Sequence, residues 1–200
     1  MKYFIIVFFI FFTMSCAHKS FGPVSYDNLN NNKAIIFNRS FSKAIYKTDL
    51  NIYGHNITGI TMIKKTNDSF RFVLISELGI KYFDFEIFED KGIRPIIHYA
   101  IDQMDNKLLI KKIINDIALI FILQKGKSRV KKTGETEIIV FGNTYYDYTS
   151  EYGVSEIAKS NLMGKINCLI KINYGENKIP ESIIIDHDKV NIKLSLIPNG

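Results

Sequence analysis

Ser40-Phe41-Ser42-Lys43 and Lys132-Thr133-Gly134 are the fragments of this 200-residue sequence nearest to covalent chemistry. A serine three residues before a lysine can be acylated while the amine takes its proton, and Lys-Thr-Gly can supply a strand edge for the substrate. That chemistry also needs a Ser-x-Asn element between the two, the serine at the start of a buried helix and a larger α/β domain. The context around Ser40 and Lys132 offers none of these. Asp186-His187-Asp188 could give a base or a metal ligand, but it falls between two strand-like segments, where Asp and His commonly make a polar turn. His55 sits in the turn Gly54-His55-Asn56, and His98 and Asp102 have no third group to orient them. No zinc-like Cys/His spacing and no glycine-rich phosphate loop is present. The expectation is a non-enzyme without metal or cofactor; a cleft gathering Ser40, Lys43 and Lys132 would argue for a hydrolase instead.

Lys125-Gly126-Lys127-Ser128-Arg129-Val130-Lys131-Lys132 holds five cations, Lys125, Lys127, Arg129, Lys131 and Lys132. After a helix, whose C-terminus favours positive charge, it reads as a solvated loop; next to a membrane the same cations could meet anionic headgroups. The formal net charge is +6, but Ile, Asn and Lys are abundant throughout, which spreads basic residues without aiming them at nucleic acid. With 46% hydrophobic and 23% charged residues, four prolines, twelve glycines and two cysteines, the chain is neither disordered, nor collagen-like, nor stapled by disulfides. One domain resting on an apolar core is expected. Cys168, in Ile166-Asn167-Cys168-Leu169-Ile170, reads as a buried structural thiol.

The chain opens Met1-Lys2 and runs from Tyr3 to Phe12 without a charge before Thr13-Met14-Ser15-Cys16. This is a secretory signal peptide, too short to remain as a membrane span, which needs ~20 apolar residues. Its end resembles the lipobox of bacterial lipoproteins. The resemblance implies a lipid on the Cys16 sulfur, cleavage before it and acylation of the new amine, for instance by palmitate. Several acyl chains anchor a protein far more firmly than one. Removal of the signal leaves a charge of +5, and a lipid on Cys16 would leave Cys168 with no partner for a disulfide. Residues 1–15 are therefore the signal peptide, 16–33 a polar lipidated tether, and 34–200 the folded domain.

Strand signals follow: Ala44 to Tyr53, Ile57 to Lys65, Phe70 to Ile75, Ile80 to Phe88 and Ile93 to Ile101, with short polar connections. Tyr46, Thr48, Leu50 and Ile52 alternate with Lys47, Asp49 and Asn51, and Phe83, Phe85 and Ile87 alternate with Asp84 and Glu86, as strands with one wet face do. Asp105 can cap a helix from about Asn106 to Leu123 with Leu109, Ile113, Ile117 and Ile120 on its apolar stripe and Lys111, Lys112, Asn115 and Asp116 largely opposite. Strands resume at Glu137 to Phe141, Thr144 to Tyr148, Val154 to Lys159, Lys165 to Tyr174, Glu181 to Asp186 and Asn191 to Ile197. Without a βαβ alternation this pattern predicts a mainly β (α+β) fold, a strongly curved antiparallel sheet or open barrel wrapped around a helix.

Phe70 to Gly79, the strand from Ile80 to Ile87, and the closing hairpin Ile179-Pro180-Glu181-Ser182-Ile183-Ile184-Ile185 with Asn191 to Leu196 complete a pattern that, with Cys16, resembles the LolA/LolB superfamily and its lipidated member LolB. The resemblance implies an open β-barrel with a helical lid, whose hydrophobic cavity takes the acyl chains of other lipoproteins and delivers them to the outer membrane. It implies as partners acylated lipoproteins, a periplasmic LolA-like carrier and membrane lipid, for a monomer held by its lipid on the periplasmic face of the outer membrane. The membrane-inserting leucine of the family's protruding turn falls on Leu78, although Glu77 stands where the family often has proline and the family's tryptophans are missing. Met62, Phe72, Leu74, Phe83, Phe85, Ile139 and Phe141 are the candidates to line the cavity; strand residues of these types also form ordinary cores. A lipid-anchored structural or interaction protein of the same fold is the competing expectation.

Overall fold

A computed structural model describes residues 36–37, 41–88, 95–101, 107–121, 128–133, 136–149, 153–187 and 190–198. The segments expected to be signal peptide and tether, together with Cys16, Ser40, Asp102, Lys125, Lys127, Gly134 and Asp188, lie outside the described residues. The elements are β1 (Lys43–Ile52), β2 (His55–Lys65), β3 (Ser69–Ile75), β4 (Lys81–Phe88), β5 (Ile96–Ala100), α1 (Lys107–Ala118), β6 (Ser128–Thr133), β7 (Thr136–Phe141), β8 (Thr144–Thr149), β9 (Gly153–Ser160), β10 (Ile166–Tyr174), β11 (Pro180–His187) and β12 (Val190–Leu196). All twelve strands form one curved antiparallel sheet in the order β5-β4-β3-β2-β1-β12-β11-β10-β9-β8-β7-β6. The sheet does not close on itself: β5 and β6 are its edges.

Alternation decides which face is dry. In β1, Ala44, Tyr46, Thr48, Leu50 and Ile52 are buried while the residues between them are exposed or half-buried. The same parity carries across the sheet through the register Val130-Ile139-Tyr146-Ile157-Ile170-Ile185-Ile192-Leu50-Ile57, a belt of apolar side chains spanning nine strands from β6 to β2. Cross-strand neighbours of this kind sit about 5 Å apart and stabilise the sheet together rather than singly. Two further rows, Thr61-Leu74-Phe83 and Ile63-Phe72-Phe85, extend the dry face over β2, β3 and β4.

α1 contributes Ile110, Ile113, Ile114, Ile117 and Ala118 to the same hydrophobic cluster as these strands. It ends sooner than its apolar run suggests. After Ala118 the backbone tightens, with Leu119, Ile120 and Phe121 donating to the carbonyls three residues earlier at 3.1 Å each. This is the i→i−3 closure by which helix ends satisfy their last carbonyls. The turn carries Phe121 into a nest of rings, 5.2 Å from Phe70 and 5.6 Å from Phe37 between centroids.

One further expectation is corrected. The cationic run read as a loop is in part strand β6, whose Val130 pairs Ile139 on β7 and whose Arg129, Lys131 and Lys132 flank it. Cations suit an edge strand because they discourage pairing with another chain. Pro95 stands immediately before β5, an edge strand of five residues in which Ile96, Ile97 and Tyr99 are each 42% exposed.

Because every neighbour is antiparallel, the odd-numbered strands all run one way. One rim of the sheet therefore carries the connections at residues 53–54, 76–80, 142–143 and 161–165, and the other those at 66–68 and 175–179.

Candidate functional site

The sequence candidates for an acyl-chain surface fall on β2, β3, β4 and β7. Phe72 and Leu74 on β3 lie opposite Phe85 and Phe83 on β4, and the Phe72 and Phe85 rings stack at 4.8 Å. Ile139 and Phe141 lie on β7, where Phe141 meets Tyr146 edge to face at 6.0 Å. These six side chains are buried in the one hydrophobic cluster that α1 also enters. Met62 is not among them. It alternates with buried Thr61 and Ile63 and pairs with half-buried Ile45 and Val73, so it stands on the opposite face. Both parities of β2 mix apolar with polar residues, Ile57, Thr61 and Ile63 on one against Ile60, Met62 and Lys64 on the other, which is why its own sequence does not show which face Met62 takes.

Several polar atoms that reach the dry side are tied. The Tyr46 hydroxyl donates to the Pro180 carbonyl at 3.0 Å and the Tyr174 hydroxyl to the Val154 carbonyl at 2.8 Å. Burial raises the pKa of both phenols, so both stay neutral donors. Thr48 bonds Thr61 at 2.6 Å across β1 and β2.

The cluster that sequence reasoning missed lies beneath α1. Asp116 is buried, not on the wet flank, and its carboxylate accepts from Lys159 Nζ on β9 at 2.8 Å while His187 Nε2 on β11 stands 3.5 Å away. His187 is the buried last residue of β11 rather than part of an exposed turn. Asp116 follows Ile113 and Ile114 on the helix, and the buried face is wide enough to take it in because Ile110, Ile113, Ile114 and Ile117 are all covered. Ile114 among the helix isoleucines was the available signal. Cys168, also buried, has its thiol pushed up to about 12, chiefly by burial and then by the Asp116 charge. A thiol kept protonated in this way is no nucleophile.

The outer face of β3 and β4 carries a second charged group. Asp84 accepts from Arg71 at 2.9 and 3.0 Å and from Lys81 at 2.8 Å. Those partners explain how a residue expected on the wet face comes to be buried: the basic side chains cover it. Arg71 above all, with Lys81, holds the Asp84 carboxyl below the usual carboxylate range against the opposing effect of burial.

At the end of the β3–β4 hairpin, Ser76-Glu77-Leu78-Gly79 is a tight turn closed by Gly79 N–H donating to the Ser76 carbonyl at 3.0 Å. Ile80 N–H donates to Ser76 Oγ at 2.9 Å, and Gly79 takes φ +82°, a left-handed conformation that glycine adopts freely. Leu78, held at the tip, is 89% exposed. At the root of this hairpin Gly59 lets β2 and β3 close up, since a Cβ there would stand 2.1 Å from the Ile75 carbonyl oxygen. Lys43 and Lys132 lie on β1 and β6, seven strands apart in the sheet.

No protein-family model matches this chain, and no curated protein matches its sequence. Among solved structures, it is similar to a domain from Vibrio parahaemolyticus provisionally described as an outer membrane lipoprotein-sorting protein, at a TM-score of 0.41 and 5% identity over 80% of this chain and 85% of that one.

Proposed function

We propose that this chain is a lipid-anchored envelope lipoprotein that receives the acyl chains of other lipoproteins against the inner face of its sheet and delivers them to the outer membrane. The apolar belt on an unclosed sheet carries this reading. Twelve strands spaced about 4.8 Å give a sheet roughly 53 Å across, whereas the one helix among the described residues, twelve residues long, spans only about 18 Å. A surface of this kind binds by burial alone, without covalent step or cofactor. An acyl chain would enter by opening the hydrophobic cluster that α1 shares with Phe72, Leu74, Phe83 and Phe85. Each methylene gains ~0.8 kcal/mol on leaving water in either protein's cavity, so the net cost of handing a chain on is small. Cys16 supplies the anchor, and Leu78 the contact through which the cargo reaches the bilayer.

The burial of Phe72, Leu74, Phe83, Phe85, Ile139 and Phe141 favours a second reading, a lipid-anchored structural or interaction protein whose sheet is permanently filled. Transfer separates the two. The mature chain bearing Cys16→Ser is mixed with a triacylated lipoprotein held by its carrier, and movement of the cargo is followed. Transfer is expected. The Leu78→Glu variant is expected to accept cargo as well as its parent and to release it to liposomes at least ~10-fold more slowly, since a charged tip resists entry into lipid. A folded chain that takes no cargo leaves only the second reading.

A further inference from the structure

Three hairpins share one turn geometry. In Ser76–Ile80, Asn161–Lys165 and Gly175–Ile179 the fourth residue donates to the carbonyl of the first, at 3.0 Å in each, and the first donates to the carbonyl of the fifth. The fourth residue is left-handed in all three: Gly79 (φ +82°), Gly164 (φ +79°) and Lys178 (φ +56°). In the first two turns the leading side chain also accepts from the fifth N–H, through Ser76 Oγ and Asn161 Oδ1. The backbone thus treats them alike, and the tip residues are free to differ. On one rim the tips are Glu77-Leu78 and Leu162-Met163, with Leu162 fully exposed and Met163 94% exposed. On the other rim the same two positions are Glu176-Asn177.

Turn chemistry does not call for apolar tips, which are ordinarily polar, so their presence on a single rim, among the described connections, needs another cause. That rim also carries Ile80, Ile166 and Tyr53, each more than half exposed, while the connection at 66–68 on the far rim reads Thr66-Asn67-Asp68. Exposed Lys81 and Lys165 follow the two apolar tips. From β3 to β10 there are five strand intervals, about 24 Å along the sheet. The tips are two separated prongs rather than one patch that a small ligand or a helix would cover. Apolar points flanked by cations match a bilayer surface, whose core takes leucine and methionine and whose anionic headgroups take lysine.

We propose that Leu162 and Met163 form a second membrane-inserting prong beside Leu78, so that the sheet stands on the bilayer by this rim. The reading rests on the lipid anchor proposed above. The twenty residue steps from Cys16 to Ile36 reach up to about 70 Å, against about 37 Å for the eleven-residue β2. The tether therefore permits the rim opposite the start of β1 to face the membrane.

The test uses the full lipidated chain in liposomes of phosphatidylethanolamine and phosphatidylglycerol, with a single solvent-sensitive dye on Met163→Cys, Leu78→Cys or Asn177→Cys and quenchers carried on the lipid. Buried Cys168 gives no background labelling. The dyes at 163 and 78 are expected to shift to the blue and lose most of their emission to the lipid-borne quencher, and the dye at 177, in the same turn on the far rim, to do neither. Flotation with the liposomes reports anchoring separately. An anchored protein whose 163 dye behaves like the 177 dye overturns the second prong, whatever the 78 dye does. Insertion at 163 in a chain that accepts no acyl cargo upholds the prong and rejects the transfer reading. A chain that does not float, with all three dyes in water, overturns both.

Discussion

Asp84 shows how a single residue can make this fold sensitive to acid. Its carboxyl has a lowered pKa in the folded chain, so the associated stability is present above the unfolded value near 3.9 and is lost as the pH falls below it. Glu86 adds in the same direction, held down first by the Ser69 hydroxyl and then by His98. Replacing Arg71 by methionine removes two of the three hydrogen bonds to Asp84 and is expected to cost about 1–3 kcal/mol at pH 7. Urea midpoints at pH 7 and pH 3 check this, because the gap between variant and parent should narrow at pH 3, below the ordinary carboxylate value, where the unfolded chain binds the proton that the folded chain resists. An equal gap at both values would place the effect in lost packing of the Arg71 stem. The alternation of β4 correctly assigns Asp84 to the outer face; the cover that Arg71 and Lys81 give it depends on β3 pairing beside β4, which alternation within one strand does not reveal.

Among the elements, α1 is tied to the sheet by a contact that no local pattern announces. Asp116, Lys159 and His187 come from one helix and two strands and meet only because α1 packs over β9 and β11. Lys159→Met leaves the buried Asp116 carboxylate without its ammonium partner and is expected to cost about 2–3 kcal/mol. Adding Asp116→Leu should recover most of that loss, because the penalty lies in an unpaired charge rather than in a missing contact. A double-mutant cycle by chemical denaturation measures it. The strands with one wet face, β1 and β4 above all, were legible because a period of two writes itself directly into the residue types. Met62 was not, because β2 carries large apolar residues on both faces among its polar ones, and β6 was hidden because Val130 is the lone large apolar residue among its cations. The Glu77-Leu78-Gly79 turn was legible as a break between two strand signals and the resemblance singled out Leu78 within it, while the Leu162-Met163 turn passed unnoticed inside a run read as a strand connection.

At the scale of the molecule, the chain's first and last strands lie side by side. β1 pairs with β12 over seven residue pairs, joining positions up to about 150 residues apart, and the seam sits between the five-strand and seven-strand parts of the sheet. Deleting residues 190–200 exposes the backbone edges of β1 and β11 together with the apolar face they share. The expected result is the loss of a single cooperative thermal transition in circular dichroism, with aggregation on heating. A truncated chain that melts cooperatively at the parent temperature would show that either part is a folding unit by itself.

The same seam sets an order of events during synthesis. At about 5–20 residues per second, β12 emerges some 7–28 s after β1 is complete, and long-range pairing of this kind is slow to form even then. For that interval β1 offers an unpaired edge. If Cys16 is acylated, as the resemblance to a lipobox implies, one end of the chain is fixed to the membrane while the strand that completes the sheet is still arriving. Such a protein would depend on a holding factor at the membrane surface, and its yield should respond to the rate of synthesis more sharply than its final stability would suggest.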